Sequence, residues 1–262
     1  MKNRGYIIFI FLFLPVLLSA EYFFVAVLGK NTGYTEQLMV SKSKLGHLET
    51  PIKKAWKEGY RITDISHSPR RWSVVLSKGT GVGKQLYIHR RLMSDFQSAI
   101  RYQLARGYKV VNIENGVGEW VALLEKGTPL KKTHITVTRD SSTMEALIKK
   151  EKAKGFDIID IEAAEGYWVA LFAQNTGYTA LHYAILENWK ELAAHIAKKW
   201  EAGYRIVNLE YGTNNWFFIY AKVKHPQAEL YIRRHNHDTF RSSIRKYWKE
   251  GYRITDLAEG RK

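Results

Sequence analysis

Short polar side chains recur at a fixed interval: Asp64, Asn112, Asp160, Asn208 and Asp256 stand 48 residues apart, each amid apolar neighbours. Oxygens of this kind, brought to a common point, can coordinate a cation or receive a ligand amine without nitrogen or sulfur donors. The same oxygens can equally accept a nearby backbone amide, a need that recurs wherever a structural unit recurs. Glu114, Glu162 and Glu210 follow two residues later in three copies, where Ser66 and Ala258 stand in the other two. On a strand they share a face with the first column. Carboxyl groups held at a suitable separation would also supply the acid and the base of a hydrolase or lyase.

Other candidate chemistry is thinner. His235 and His237 alternate on an extended segment beside Asp238 and offer two imidazoles to a metal, but no further ligand is apparent in sequence and Asp238 suits a helix cap. The run 79–84, Gly-Thr-Gly-Val-Gly-Lys, lacks the spacing of a phosphate loop and sits between two strands. No serine nucleophile elbow or metalloprotease helix motif occurs, and the absence of cysteine excludes thiolate catalysis, disulfides and thiolate metal sites. The sequence therefore assigns no catalytic residue, no metal site and no cofactor.

The elements that must position these residues share the 48-residue period. Gly59, Gly107, Gly155, Gly203 and Gly251 are each followed by an aromatic residue, and Phe24, Trp72, Trp120, Trp168 and Trp216 form a second column. Ahead of each glycine, apolar residues at spacings of three and four, such as Phe96, Ile100 and Leu104, predict one amphipathic helix per unit. Ser94, Ser142 and Asp238 are placed to cap three of these helices, and the glycine to end each in a left-handed conformation. After the glycine, alternation of Ile62 and Asp64 with Thr63 and Ile65 predicts a first strand. The tryptophan opens a second, apolar on both faces and so covered on both. Turn residues such as Asn175-Thr176-Gly177 precede a third strand. Core packing between units accounts for the periodic tryptophans better than stacking on sugar rings does.

The unit thus reads as helix, strand, strand, strand, and the chain as an α/β repeat protein. Residues 21–262 form a single domain of five repeats that begins with strands two and three and finishes with a helix and strand one. Pairing of those terminal strands would close a five-fold propeller-like toroid and remove the exposed sheet edges. An open solenoid would instead call for atypical capping units.

The recurring Gly-Tyr-Arg-Ile-Thr, the tryptophan some twelve residues on and the helix-ending Trp-Lys-Glu-Gly resemble an uncharacterised repeat domain found after the kinase domain of plant casein-kinase-I-like kinases. The likeness covers the repeats and implies no established chemistry. At the level of fold, five units of three strands and one helix are similar to the pentein α/β-propeller, whose enzymes depend on a cysteine nucleophile that this chain lacks. That resemblance implies a shape and no activity.

Composition adds location and partner. Lys2 and Arg4, an apolar run over 7–18, and Ser19-Ala20 before Glu21 predict a signal segment over 1–20, hence a secreted or periplasmic protein that does not span a membrane after cleavage. The formal net charge of +16 is carried by 41 basic against 25 acidic residues, and much of it lies in solvated helical runs such as Lys149-Lys150. Outside the cell such a surface meets acidic glycans, lipid headgroups or an acidic envelope protein before nucleic acid. The sequence predicts an exported, non-enzymatic binding or scaffold protein whose ligand site is drawn from Asp64, Asn112, Asp160, Asn208, Asp256, Glu114, Glu162 and Glu210. The alternative is a hydrolase or lyase using the central carboxylates.

Overall fold

The computed structural model describes residues 22–68 and 70–261, so the predicted signal segment lies outside the described residues. The chain runs β1 (Tyr22–Lys30), β2 (Gln37–Lys42), a 3-10 turn (Leu45–Leu48) leading into α1 (Glu49–Lys57), β3 (Arg61–Ser68), β4 (Arg71–Ser77), β5 (Gln85–Arg90), α2 (Met93–Ala105), β6 (Lys109–Gly116), β7 (Glu119–Glu125) and β8 (Thr133–Thr138). It continues with α3 (Ser141–Ala153), β9 (Asp157–Ala164), β10 (Tyr167–Ala173), β11 (Ala180–Leu186), α4 (Trp189–Glu201), β12 (Arg205–Gly212), β13 (Asn215–Lys222), β14 (Glu229–Arg234), α5 (His237–Lys249) and β15 (Tyr252–Arg261). Among the described residues no helix is long and apolar enough to cross a membrane.

The glycine column does end the helices. All five members have φ between 81° and 88°, a region a residue with a Cβ enters only at a cost. The caps at the other end fall earlier than predicted. Asp140, Asn188 and Asn236 accept the amides two or three residues ahead, leaving Ser142 and Asp238 in the first turn. In the first two units Lys44 and Leu92 hold this position and make no side-chain cap, which hides the column from a periodicity search.

The strands form five separate three-stranded sheets, ordered β2-β4-β3, β5-β7-β6, β8-β10-β9, β11-β13-β12 and β14-β1-β15, every neighbouring pair antiparallel. The third strand of each predicted unit therefore pairs forward, into the following sheet. Because β2 and β3 both run antiparallel to β4, they are parallel to each other, and two parallel strands require a crossover. The helix is that crossover. In the last sheet the middle strand comes from the start of the chain: Leu28 pairs with Ile254 and with Leu230. The first strands after each helix lie side by side, β3 with β6, β6 with β9, β9 with β12, β12 with β15, and β15 with β3.

Each of these inner strands carries a bulge opposite the middle strand of its sheet, at Thr63, Val111, Ile159, Val207 and Thr255. A bulge shifts the alternation of faces by one residue. So Ile62 and Ile65, three apart, both enter the core under α1, as Val110 and Ile113 do under α2. The residues between and after them, Asp64 and Ser66, are turned away from that core. Simple alternation, as the sequence predicts, would have set Ile62 and Asp64 on one face.

The middle strands are buried on both sides. Trp72, Val74 and Leu76 face the helix of their own sheet, while Val75 joins the core under α5. Val121 and Leu123 of β7 likewise pack into the core of the preceding unit under α1. Trp72, Trp120, Trp168 and Trp216 all lie within these cores.

A polar clamp repeats at the helix ends. The Trp56 indole donates to Gln85 Oε1 at 3.2 Å, and the Gln85 amide in turn bonds the backbone N–H and C=O of Ile62, both at 2.7 Å. Trp248 and Gln37 hold Ile254 in the same way, and Trp200 with Glu229 holds the N–H of Ile206. At α3 the two positions are Lys152 and Leu181. A groove of about 290 Å³ opens there, lined by Ile148, Phe156, Ile158 and Leu181.

Candidate functional site

The bulges decide where the polar columns point. Asp160 is buried between the inner strands, where its Oδ2 accepts the N–H of Ile113 at 2.7 Å and its Oδ1 accepts the Asn208 side-chain amide at 2.9 Å. Asp256 stands in the same relation to the N–H of Leu209, and Asp64 to the N–H of Leu257. Each aspartate thus satisfies a backbone amide on the neighbouring inner strand, the structural role such repeated acceptors can serve.

Aspartate and asparagine alternate along these strands, so an amide can meet a carboxylate. With five positions the alternation fails once: β15 lies beside β3, and Asp256 and Asp64 meet with no asparagine between them. Asp64 Oδ2 and Asp256 Oδ2 are both buried without a hydrogen-bond partner. Burial, and then the charge of neighbouring aspartates, holds both carboxyls well above the usual aspartate range, and burial pushes Asp160 up to about 7.

One layer further along the strands, Glu114, Glu162 and Glu210 come from β6, β9 and β12, three adjacent inner strands. One carboxylate oxygen from each lies within 4.8 Å of those from the other two. Glu114 is 4% exposed, Glu162 6%, and Glu210 is half-buried. Burial foremost, reinforced by nearby carboxylates, raises all three above the ordinary glutamate range. The N–H of Asn115 bonds Glu114 Oε1 at 3.1 Å, while Glu162 Oε1 is buried with no partner.

These glutamates form the floor of a cavity of about 300 Å³ whose lining also includes Tyr22, His67, Asn115, Tyr211 and Glu259. Among the described residues no lysine or arginine lines it. Ser66 and Ala258, the small residues of the glutamate column, are buried and do not line the cavity. His67 reaches this layer because Gly116 gives way: a Cβ there would stand 2.1 Å from the imidazole ring. An acidic pocket of this kind suits a cation, an amine, or the hydroxyls of a neutral ligand.

The structure brings together the three glutamates and, in the layer beneath them, the aspartate column with Asn208; half-buried Asn112 holds the equivalent place on β6. The histidine pair does not converge. His235 Nδ1 lies 3.1 Å from the carbonyl of Tyr22, His237 contacts the Arg71 guanidinium at 3.2 Å, and Asp238 opens α5. His67, Asn115 and Glu259 are not legible as site residues in the sequence. They occupy one repeat position, next to the glutamate column, but their side chains differ from unit to unit and leave no periodic signal.

Five similar three-stranded antiparallel sheets with their crossover helices, and a buried carboxylate cluster on three adjacent inner strands, define an α/β repeat protein. Residues 87–262 match the family model described as Domain of unknown function (DUF7477), and the chain belongs to that family. The matched segment contains Glu114, Glu162 and Glu210 together with all the inner strands except β3. A comparison with curated proteins finds no match.

Proposed function

We propose that this chain is an exported, non-catalytic binding protein in which five sheet units close into a propeller-like ring and the glutamate pocket at its centre takes the ligand. The observation that carries this reading is the convergence of three carboxylates in a cavity whose lining, among the described residues, holds no lysine or arginine. Ring closure is supported by the pairing of β1 with β14 and β15. It is supported also by the Asp64 to Leu257 contact, which repeats between the last and first units the bond Asp160 makes to Ile113.

The ligand at this pocket is cationic or rich in hydroxyl groups, since an anion would face four glutamates. The basic outer surface is the complementary partner site, suited to an acidic glycan, a lipid headgroup or an acidic envelope protein. The aspartates are engaged with strand amides, so a hydrolase or lyase would have to work through the glutamates instead.

A thermal-shift screen of the protein against neutral and basic sugars, polyamines and divalent cations tests the reading. Stabilisation that Glu210→Gln removes supports it, because only ligands bound to the native state raise Tm. Turnover of any screened compound, lost in the same variant, would replace it with the enzyme reading. Ligands whose effect is indifferent to Glu210 would move the site elsewhere.

A further inference from the structure

We propose that Glu114, Glu162 and Glu210 form a site for a hard divalent cation of the calcium class, bridging β6, β9 and β12. The inference rests on the reading of the glutamate pocket as the ligand site and names its occupant.

The geometry admits a single ion. Ligands on opposite sides of a calcium ion, each about 2.4 Å from it, are separated by about 4.8 Å, and neighbouring ligands by less. The three carboxylate oxygens fall within that limit. A second observation points into the same place: Glu162 is 6% exposed, and although the N–H of Asn115 bonds its carboxylate, Oε1 has no hydrogen-bond partner. A buried polar atom normally has one, so a bare carboxylate oxygen on a residue clustered with two further glutamates calls for a positive charge rather than another acceptor. Among the described residues no lysine or arginine lines the cavity to supply it.

The donor set selects the class of ion. Three carboxylates present oxygen only, and the chain has no cysteine, which favours calcium, magnesium or manganese over zinc or copper. Calcium takes six to eight oxygens in flexible geometry. The cavity above the cluster has room for water ligands, and Asn115 lies at its edge. A magnesium ion demands closer, more regular ligands, which three chains of glutamate side chain from separate strands are less suited to hold. Bound here, the ion would neutralise most of the cluster's charge and tie three units of the repeat together.

Terbium luminescence provides the test. The full chain, stripped with chelator, is titrated with Tb³⁺ under excitation of its aromatic residues; Tyr22 and Tyr211 line the pocket and serve as donors. The expected result is sensitised emission saturating at one ion per chain, displaced by Ca²⁺ more readily than by Mg²⁺, with Ca²⁺ raising Tm. Glu162→Gln and Glu210→Gln should each weaken Tb³⁺ and Ca²⁺ binding by about tenfold or more, while Asp95→Asn, a surface change in α2, should not. Glu162→Gln removes a like charge from the cluster and is not expected to compromise folding. Absence of a Ca²⁺ effect up to about 10 mM, beyond the range of weak extracellular calcium modules, overturns the metal assignment. Zn²⁺ binding that depends on His67 overturns the hard-ion assignment. If an amine or sugar then binds in a Glu210-dependent way, the pocket reading survives without the metal; if nothing does, both fall.

Discussion

Glu229 shows how one residue can depart from its column at a cost that varies with pH. Its counterparts Gln37 and Gln85 close the clamp with a neutral amide that both accepts and donates. Glu229 accepts from the Trp200 indole and the Ile206 N–H but can donate nothing while ionised. Burial pushes its carboxyl up to about 7, against the lowering effect of those bonds and of Arg205. Between its ordinary value of 4.5 and about 7 the folded protein keeps a proton that the unfolded chain has released. Its contribution to stability therefore falls as pH rises through that window and is least above it. Glu229→Gln is expected to raise stability by roughly 2 kcal/mol at pH 8 and by little at pH 4. Equal effects at both pH values in denaturant titrations would remove the titration argument.

At the scale of elements, the clamp is incomplete at two helices: α2 carries Leu104 in place of the tryptophan and keeps only the Thr133 hydroxyl on the Val110 N–H, and α3 keeps neither part. Lys152 and Leu181 replace the tryptophan and its amide partner at α3, and Met144 stands where α2 and α5 carry Phe96 and Phe240. With the clamp absent and an apolar groove beside it, α3 should open locally at a free energy roughly 1–3 kcal/mol below that of α5. Native-state hydrogen exchange reads this directly: α3 amides should exchange before those of α5. Equal protection of the two helices would show that the Lys152–Asp157 and Lys154–Glu151 ion pairs compensate for the lost clamp.

What could be read from sequence follows the same distinction between identity and placement. The glycines and tryptophans are legible because the same side chain recurs where the same backbone need recurs. The bulges are not, since Thr63, Val111, Ile159, Val207 and Thr255 are all β-branched and read as uninterrupted strand. The forward pairing of the third strand is also invisible, because hydrophobic pattern fixes which face is buried and not which sheet is joined. For the candidate site, the glutamate column could be seen as a column. Its convergence depends on the order of neighbouring strands, and no periodicity records that.

For the whole molecule, β15 carries the proposed closure. Ending the chain at Gly251 would strip Ile254, Leu257 and Ala258 from the core and leave β1 with an open edge. At about 1.5–3 kcal/mol for each large buried side chain, plus the lost ladder, the expected loss exceeds about 5 kcal/mol and approaches the total stability of many domains. The truncated chain should melt without cooperativity or aggregate. A cooperative melt near the full-length Tm would rule out the closed arrangement.

The place of β1 between β14 and β15 also sets an order of events. The Thr255 hydroxyl reaches the carbonyl of Val27 across 228 residues of chain, so β1 can be housed only after β14 and β15 have been synthesised. Contacts of such separation form slowly, because the whole intervening chain must be organised before they are rewarded. Phe23, Val25, Val27 and Leu28, all fully buried at the end, must be kept from other partners until then. A nascent or proteolytically shortened product therefore carries a bare apolar strand at its front, the very feature by which quality-control machinery tells an unfinished chain from a finished one.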